Sequence, residues 1–179
     1  MTWRRHWGRR NTLIAIGVLT TLFLVLTATL FVWPSTNAPR RSDAIVVLGG
    51  SGTRIQKGLA LARAGYAPYL VVSVDDRAEH SHCPTPPPKV SIICFIPDPL
   101  TTQGEARAVT KLALAHNWRQ IIVVPGMPQT TRARIRFDRC YHGTLLFDPA
   151  SPGGVGAWIH SVLYEWRALA KALTLQRGC

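Results

Sequence analysis

Residues 43–54 read D-A-I-V-V-L-G-G-S-G-T-R, and this stretch decides the fold. Its apolar part, 44–48, is an uninterrupted run rich in β-branched residues, which is typical of a strand buried on both faces. The run breaks at Gly49, Gly50 and Gly52, and a helical pattern follows. A buried strand, a glycine turn and a helix N-terminus direct backbone N–H groups and the positive end of a helix dipole into one small volume. The stretch therefore predicts an anion site, the alternative being a turn that only packs helix on strand.

Apolar strands alternate with helical patterns along the rest of the chain. Further strands are predicted at 69–74, 90–96, 120–124 and 144–147, and helices at 53–64, 102–117, 129–141 and 157–175. This alternation predicts a Rossmann-like three-layer α/β/α fold with a mainly parallel five-stranded sheet. In the last helix we expect Trp158, Val162, Trp166 and Leu169 to reach the core and Glu165 to be structural.

The N-terminal segment 12–33 is apolar and uncharged over 22 residues, which is enough to cross a hydrocarbon core of roughly 30 Å. Four arginines precede it, so the positive-inside rule places residues 1–11 in the cytoplasm. Residues 34–42 are then a polar tether, and 43–179 form an extracytoplasmic domain of a single-pass cell-membrane protein. The alternative is a cleavable signal peptide, whose best small-x-small site, at 36–38, is followed by Pro39.

All four cysteines follow the apolar segment, as expected for a domain exported to an oxidising compartment. Cys83 and Cys94 flank a proline-rich loop, so a disulfide between them is predicted, which leaves Cys140 and Cys179 as the second pair. The alternative is isolated buried thiols. No CxxC or HxxxH spacing occurs, and no metal site is predicted.

The chain carries a formal charge of +12, with arginine far more common than lysine. Arginine suits fork-like contacts with phosphate or carboxylate. Nucleic acid is one partner of such a basic chain, but the membrane placement would keep the domain away from it. The expected partner is a lipid bilayer, and binding to nucleic acid is not expected.

Several polar residues follow predicted strands, where ligand crevices form in open α/β sheets. Asp75 comes directly after the second strand, and Arg132 lies near the start of the arginine-rich helix after the fourth. Thr101 or Thr102 offers an N-cap hydroxyl, and Glu105 follows Thr102 in a T-x-x-E sequence, so Glu105 is either a candidate catalytic carboxylate or only part of a capping box. The other arginines of the helix 129–141 are expected to be solvated or ion-paired, for example to Asp138.

The chain contains, in this order, the motifs D-A-I-V-V-L-G-G-S-G, R-x₃-G-L-A-L-x₃-G at 54–65, L-V-V-S, T-T-Q-G-E-A at 101–106 and I-I-V-V-P-G-M-P-Q-T-T-R-A-R at 121–134. Together they resemble the YdcF-like family (the SanA/ElyC group) over about 43–166. The resemblance implies a Rossmann-like domain, often behind one N-terminal anchor. It also implies a role in envelope integrity and in cell-wall precursor or lipid-carrier metabolism, and one branch of the family binds S-adenosylmethionine.

Carried over by position, the family's crevice falls on Gly49, Gly50, Arg54, Thr102, Glu105 and Arg132, and Ser51 lies within the same glycine turn. The chain departs from the family after the fourth strand. Pro125 and Gly126 stand where the family commonly has Thr and Ser, and Gln129 stands where it has His. Without that histidine the obvious general base is missing, which favours binding over catalysis.

Three functions remain open at this point. The first is a membrane-anchored domain binding an anionic, phosphate-bearing ligand, such as a phosphorylated lipid carrier, a sugar precursor or a nucleotide-like molecule. In this first function the ligand is bound by Gly49, Gly50, Ser51, Arg54, Asp75, Thr102 and Arg132. The second is a phosphoester or pyrophosphate hydrolase, or another transferase-type enzyme, with Glu105 or Asp75 as base. The third is a non-catalytic interaction platform. The residues identify no cofactor.

Overall fold

The computed structural model describes residues 3–49, 52–75 and 83–179, with side chains from residue 9 onward. The helices are α1 (Trp3–Thr27), α2 (Gly52–Arg63), α3 (Thr102–His116), α4 (Thr130–Cys140) and α5 (Val155–Thr174). The strands are β1 (Ala44–Val47), β2 (Tyr69–Ser73), β3 (Ser91–Phe95), β4 (Gln120–Val124) and β5 (Thr144–Phe147). A π-helical turn, Ala28–Val32, continues α1, and a 3₁₀ turn, Met127–Gln129, leads into α4.

The five strands form one sheet in the order β3-β2-β1-β4-β5, and all of them are parallel. The predicted Rossmann-like α/β fold is therefore confirmed. β1 is the central strand, with Ala44 paired to Tyr69 on one side and to Ile121 on the other. All four residues of β1 are buried, as its apolar run predicts for a strand covered on both faces.

The two faces of the sheet carry separate cores because side chains alternate along each strand. Val46 belongs to the core shared with α3 and α4, where Val109 and Phe137 are fully buried. Ile45 belongs to the core shared with α2, where Leu61 is buried. Helices thus cover both faces.

Helix α5 packs beside α4 and the 3₁₀ turn, outside these two cores. Leu169 is buried, whereas Trp158, Val162 and Trp166 are only half-buried. The prediction that these three residues reach the core is wrong, because α5 packs against α4 and the 3₁₀ turn rather than against the sheet.

The N-terminal helix is long and apolar enough, over Arg9–Val32, to cross a membrane. Its C-terminal end, which is the end nearest the sheet, packs against the α/β domain. Phe31 is fully buried, and the Thr131 hydroxyl donates a hydrogen bond to the Leu30 carbonyl. The ring of Trp166 lies 5.1 Å from the ring of Phe31 and 5.4 Å from that of Phe23, centroid to centroid.

The predicted tether is bound to the edge of the sheet. The Asn37 N–H donates to the Phe147 carbonyl at 2.8 Å, and its side-chain oxygen accepts from the Phe147 N–H at 3.0 Å. Arg134 donates to the Ser35 carbonyl and to the Asn37 side chain, and its guanidinium lies 4.3 Å from the centre of the Phe147 ring. The segment is therefore attached to β5, the edge strand of the sheet.

The arginines of α4 hold the C-terminal tail. Arg136 donates to the carbonyl and the side chain of Gln176, and Arg139 donates to the carbonyls of Ala172 and Gln176. The expectation that these arginines are solvated or paired with Asp138 is wrong, because uncapped carbonyls at the end of α5 accept their hydrogen bonds. Burial, and then the neighbouring charge of Arg139, lower the pKa of Arg136.

Both predicted disulfides are present. Cys83 is bonded to Cys94 with the Cα atoms 5.9 Å apart, which joins the proline-rich loop to β3. Cys140 is bonded to Cys179, so the last residue of the chain is attached to the end of α4. Two bridges indicate an oxidising compartment.

Candidate functional site

The candidate site lies at the carboxyl ends of the strands. The strand order reverses between β1 and β4, and ligand crevices of open α/β sheets form at such a switch point. Gly49 follows β1 and Gly126 follows β4, and both line a cleft of about 750 Å³.

Most of the predicted site residues lie in this single cleft. It is lined by Gly49, Arg54, Asp75, Thr102, Glu105 and Arg132. Gly50 and Ser51 lie outside the described residues. The elements that meet here are the N-termini of α2, α3 and α4, which parallel strands with right-handed crossovers bring to one edge of the sheet.

Glu105 is held by the first strand rather than by its own helix. The N-cap of α3 is Thr101, one of the two predicted candidates, and its hydroxyl accepts from the Gly104 N–H at 3.3 Å. The predicted capping box between Thr102 and Glu105 is therefore wrong. Glu105 is 5% exposed, and its Oε1 accepts from the Gly49 N–H at 2.6 Å. The main-chain donor that the glycine turn offers at Gly49 is thus bound to a carboxylate of the protein itself.

Two glycines permit this close approach. A Cβ at Gly49 would lie 3.2 Å from the Ser73 hydroxyl oxygen and 3.3 Å from Glu105 Oε1. A Cβ at Gly104 would lie 2.0 Å from the Pro99 carbonyl oxygen, a contact that backbone cannot relieve. The glycines of both motifs therefore let α3 start against β1 and place Glu105 beside the turn.

Arg132 forms a buried ion pair. Its Nε and Nη2 atoms donate to the two carboxylate oxygens of Glu165, at 2.7 and 2.8 Å, and Nη1 donates to the Thr102 hydroxyl at 2.6 Å. Burial acts to lower the pKa of Arg132, but the hydrogen bonds and the charge of Glu165 outweigh it and raise the pKa above its ordinary value. The charge of Arg132 is therefore neutralised within the protein.

Arg54 differs from Arg132 in how its positive charge is balanced. Its Nη1 donates to Gln129 Oε1 at 2.9 Å and makes a longer contact with the Leu48 carbonyl at 3.4 Å. Within the described part of the chain, its buried Nε has no hydrogen-bond partner and no carboxylate forms an ion pair with it. Burial lowers the pKa of Arg54, and the more distant charges of Glu105 and Glu165 oppose that shift only in part.

Gln129 connects the two arginines. Its Oε1 accepts from Arg54, and its Nε2 donates at 3.0 Å to the Thr102 hydroxyl that also accepts from Arg132. The hydrogen-bonded chain Arg54–Gln129–Thr102–Arg132–Glu165 thus joins α2 to α5. An amide suits this position because it accepts at one end and donates at the other.

One side of α5 belongs to the cleft and was not among the predicted site residues. His160, Tyr164, Arg167 and Lys171 line it, and the guanidinium of Arg132 lies 5.8 Å from the centre of the Tyr164 ring. The signal was present in the sequence as polar residues spaced by four, three and four positions, which share one face of a helix.

Positive charge predominates in the cleft. Among the described residues that line it, five are Arg or Lys and three are Asp or Glu, so their formal sum is +2; they are Arg54, Arg132, Arg136, Arg167 and Lys171 against Asp75, Glu105 and Glu165. In the ranges that the structure describes, no three His, Cys, Asp or Glu side chains lie close enough together to hold a metal ion.

Comparison with known proteins gives no matching family model, no matching curated protein and no matching solved structure. The resemblance to the YdcF-like family stays a prediction that depends on the sequence motifs alone.

Proposed function

We propose that the cleft binds an anionic, phosphate-bearing ligand. The observation that supports this most is the half-buried guanidinium of Arg54, whose Nε is buried without a hydrogen-bond partner and which has no carboxylate partner among the described residues. Withdrawing a charge from water without a counterion is unfavourable, and an anion beside it would offset that cost. A guanidinium also matches phosphate oxygens in geometry, since its N–H groups donate in pairs.

Two further features favour an anion. The net positive charge of the cleft attracts one from solution, and low-dielectric walls concentrate that field. Arg54 lies in the first turn of α2, where the helix dipole adds to its charge. Because Glu105 already accepts from the Gly49 N–H, we place the ligand's phosphate at Arg54, on the side of the cleft away from Glu165.

The resemblance to the YdcF-like family suggests which phosphate compounds to consider. A phosphorylated lipid carrier, a phosphorylated sugar precursor and a nucleotide-like molecule all present the anion that Arg54 would bind. A role in cell-envelope or peptidoglycan-precursor metabolism is part of the same proposal.

We expect Arg54→Ala to weaken binding of inorganic pyrophosphate by roughly 10–100-fold, because a hydrogen bond to a charged group contributes about 1.5–3 kcal/mol. The measurement is isothermal titration calorimetry on the full chain in detergent. The matched control is Arg63→Ala, which removes the same charge from an exposed position of α2 outside the cleft. Equal losses in the two variants, or no loss in Arg54→Ala with the fold intact by circular dichroism, would contradict the proposal.

A second candidate function is phosphoester or pyrophosphate hydrolysis. Glu105 favours it, because it is a buried carboxylate in the cleft whose Oε1 is oriented by the Gly49 N–H, and in this function its Oε2 is the proton acceptor of a general base. Turnover of p-nitrophenyl phosphate that disappears in Glu105→Gln, while pyrophosphate still binds, would establish an enzyme. Full biological function of both Arg54→Ala and Glu105→Gln would instead support an interaction platform.

We further propose that the chain is a single-pass protein of the cell membrane with a cytoplasmic N-terminus. The arginines before the apolar segment and the two disulfides after it support this orientation. Retention of the anchor is supported by Phe31 and Asn37. Cleavage after Ala38 would remove both the buried ring and the residue that hydrogen-bonds the edge of β5.

A reporter fused after Cys179 is expected to be active only outside the cytoplasm. Alkaline phosphatase, which needs disulfides, should give high activity, and green fluorescent protein exported unfolded should give no fluorescence. The converse result would overturn the orientation. Loss of about 38 residues from the mature chain, seen by intact mass spectrometry, would show instead that the apolar segment is a signal peptide.

A further inference from the structure

Helix α5 carries an exposed apolar stripe that neither core uses. Val155, Ile159 and Leu163 follow one another at intervals of four and are 77, 59 and 63% exposed. Half-buried Trp166 and exposed Leu173 continue the stripe on the same side of the helix. The residues that line the cleft lie on a different side, so α5 separates the cleft from this stripe.

The stripe is continuous with the apolar surface of α1. Trp166 stacks on Phe23 with an interplanar angle of 16°, and Phe31 meets the same ring nearly at right angles. Around Phe23, the side chains of α1 are exposed from Leu13 to Leu26. Trp166 is therefore the point where the exposed face of α5 meets the segment that could cross a membrane.

The position of Phe23 sets the depth of this contact. It precedes Val32, the end of the apolar span, by nine residues, which is about 13 Å of helix at 1.5 Å per residue. Half of a hydrocarbon core is roughly 15 Å. If α1 crosses the bilayer, a ring stacked on Phe23 lies inside the leaflet rather than above it.

We propose that α5 is a second membrane-binding element, with Val155, Ile159 and Leu163 among the acyl chains of the leaflet nearest the domain. Arg167 and Lys171, on the adjacent side of the helix, then reach anionic headgroups, as basic residues of interfacial helices do. The proposal rests on the membrane placement of α1. It puts the cleft at headgroup level, so a ligand enters from the membrane surface.

The test is nitroxide accessibility by power-saturation electron paramagnetic resonance, on the full chain in lipid nanodiscs. All four native cysteines are in disulfides, so a single introduced cysteine is the residue that takes the label. Ile159→Cys and Leu163→Cys report on the stripe. Leu114→Cys is the matched control, since Leu114 is equally apolar and 75% exposed. It lies near the C-terminal end of α3, toward the amino ends of the strands and away from the cleft. Leu19→Cys reports on the span.

We expect the ratio of oxygen to nickel-chelate accessibility to be several-fold higher at 159, 163 and 19 than at 114. A ratio at 159 and 163 equal to that at 114 would overturn the proposal while α1 still spans. Low accessibility to both reagents at 159 and 163 would also overturn it, because it would show a protein partner on the stripe. A water-exposed label at 19 would refute the membrane placement itself. Non-reducing mass mapping of each variant checks that both native disulfides are kept.

Discussion

Glu165→Ala is expected to destabilise the protein by about 3–5 kcal/mol, the cost of removing one partner from a buried ion pair. Glu165 is 4% exposed and accepts both hydrogen bonds that Arg132 donates through Nε and Nη2. Its removal leaves a buried guanidinium whose remaining hydrogen-bond partner, among the residues that the structure describes, is the Thr102 hydroxyl. The measurement is the free energy of unfolding in guanidinium chloride, followed by circular dichroism in detergent.

The double variant Arg132→Met, Glu165→Leu is the matched control. It removes both charges and fills similar volume, and apolar replacements of buried ion pairs are often close to neutral. We expect it to recover most of the stability that Glu165→Ala loses. A double variant as unstable as the single one would show that the hydrogen bond of Arg132 to Thr102, or the packing of the two stems, holds α5 in place instead of the charge pair.

The architecture could be predicted from the sequence because each of its signals is local. The apolar run at 44–48 indicates a doubly buried strand by itself, and the alternation of strands and helices restricts the sheet to a parallel one. The disulfide between Cys83 and Cys94 closes a short proline-rich loop and could also be inferred from spacing. The predicted parallel sheet also placed Arg54, Glu105 and Arg132 at one edge, and the cleft lies at that edge.

The partners of these side chains could not be predicted, because they come from distant parts of the chain. Glu105 bonds Gly49 across 56 positions, and Gln103 bonds the Gly178 carbonyl across 75. Taken alone, the T-x-x-E sequence predicts a capping box. In the folded protein α3 starts close enough to β1 for Glu105 to accept from the Gly49 N–H instead of capping its own helix. The interpretation of Gln129 as a lost base likewise missed its place between Arg54 and Thr102.

The apolar residues of α5 illustrate the same limit. The spacing of Trp158, Val162, Trp166 and Leu169 indicates an apolar side of α5, and a helix of a globular domain is expected to turn such a side to the core. The surface that covers Trp166 is instead α1, whose relation to α5 depends on how the apolar segment leaves the domain. Periodicity identifies the face of a helix but not the surface against which it packs.

Replacing Cys140 and Cys179 together by Ser is expected to cost about 4 kcal/mol, because the bridge closes a loop of 39 residues and the loss of chain entropy grows with loop length. The bridge also holds the tail against α3 and α4. Without it the tail is free to leave, and Arg107, Arg136 and Arg139 lose carbonyl partners. The free energy of unfolding under non-reducing conditions gives the value.

Replacing Cys83 and Cys94 by Ser provides the comparison within the same chain, because that bridge closes only 11 residues and is expected to contribute about 3 kcal/mol. The order of the two losses matters more than their size. A larger loss for the short loop would mean that the loop's attachment to β3 outweighs chain entropy. A larger loss for 140–179, together with weaker pyrophosphate binding, would show that the tail also shapes the cleft, since Gln176 lines the cleft and accepts hydrogen bonds from Arg136.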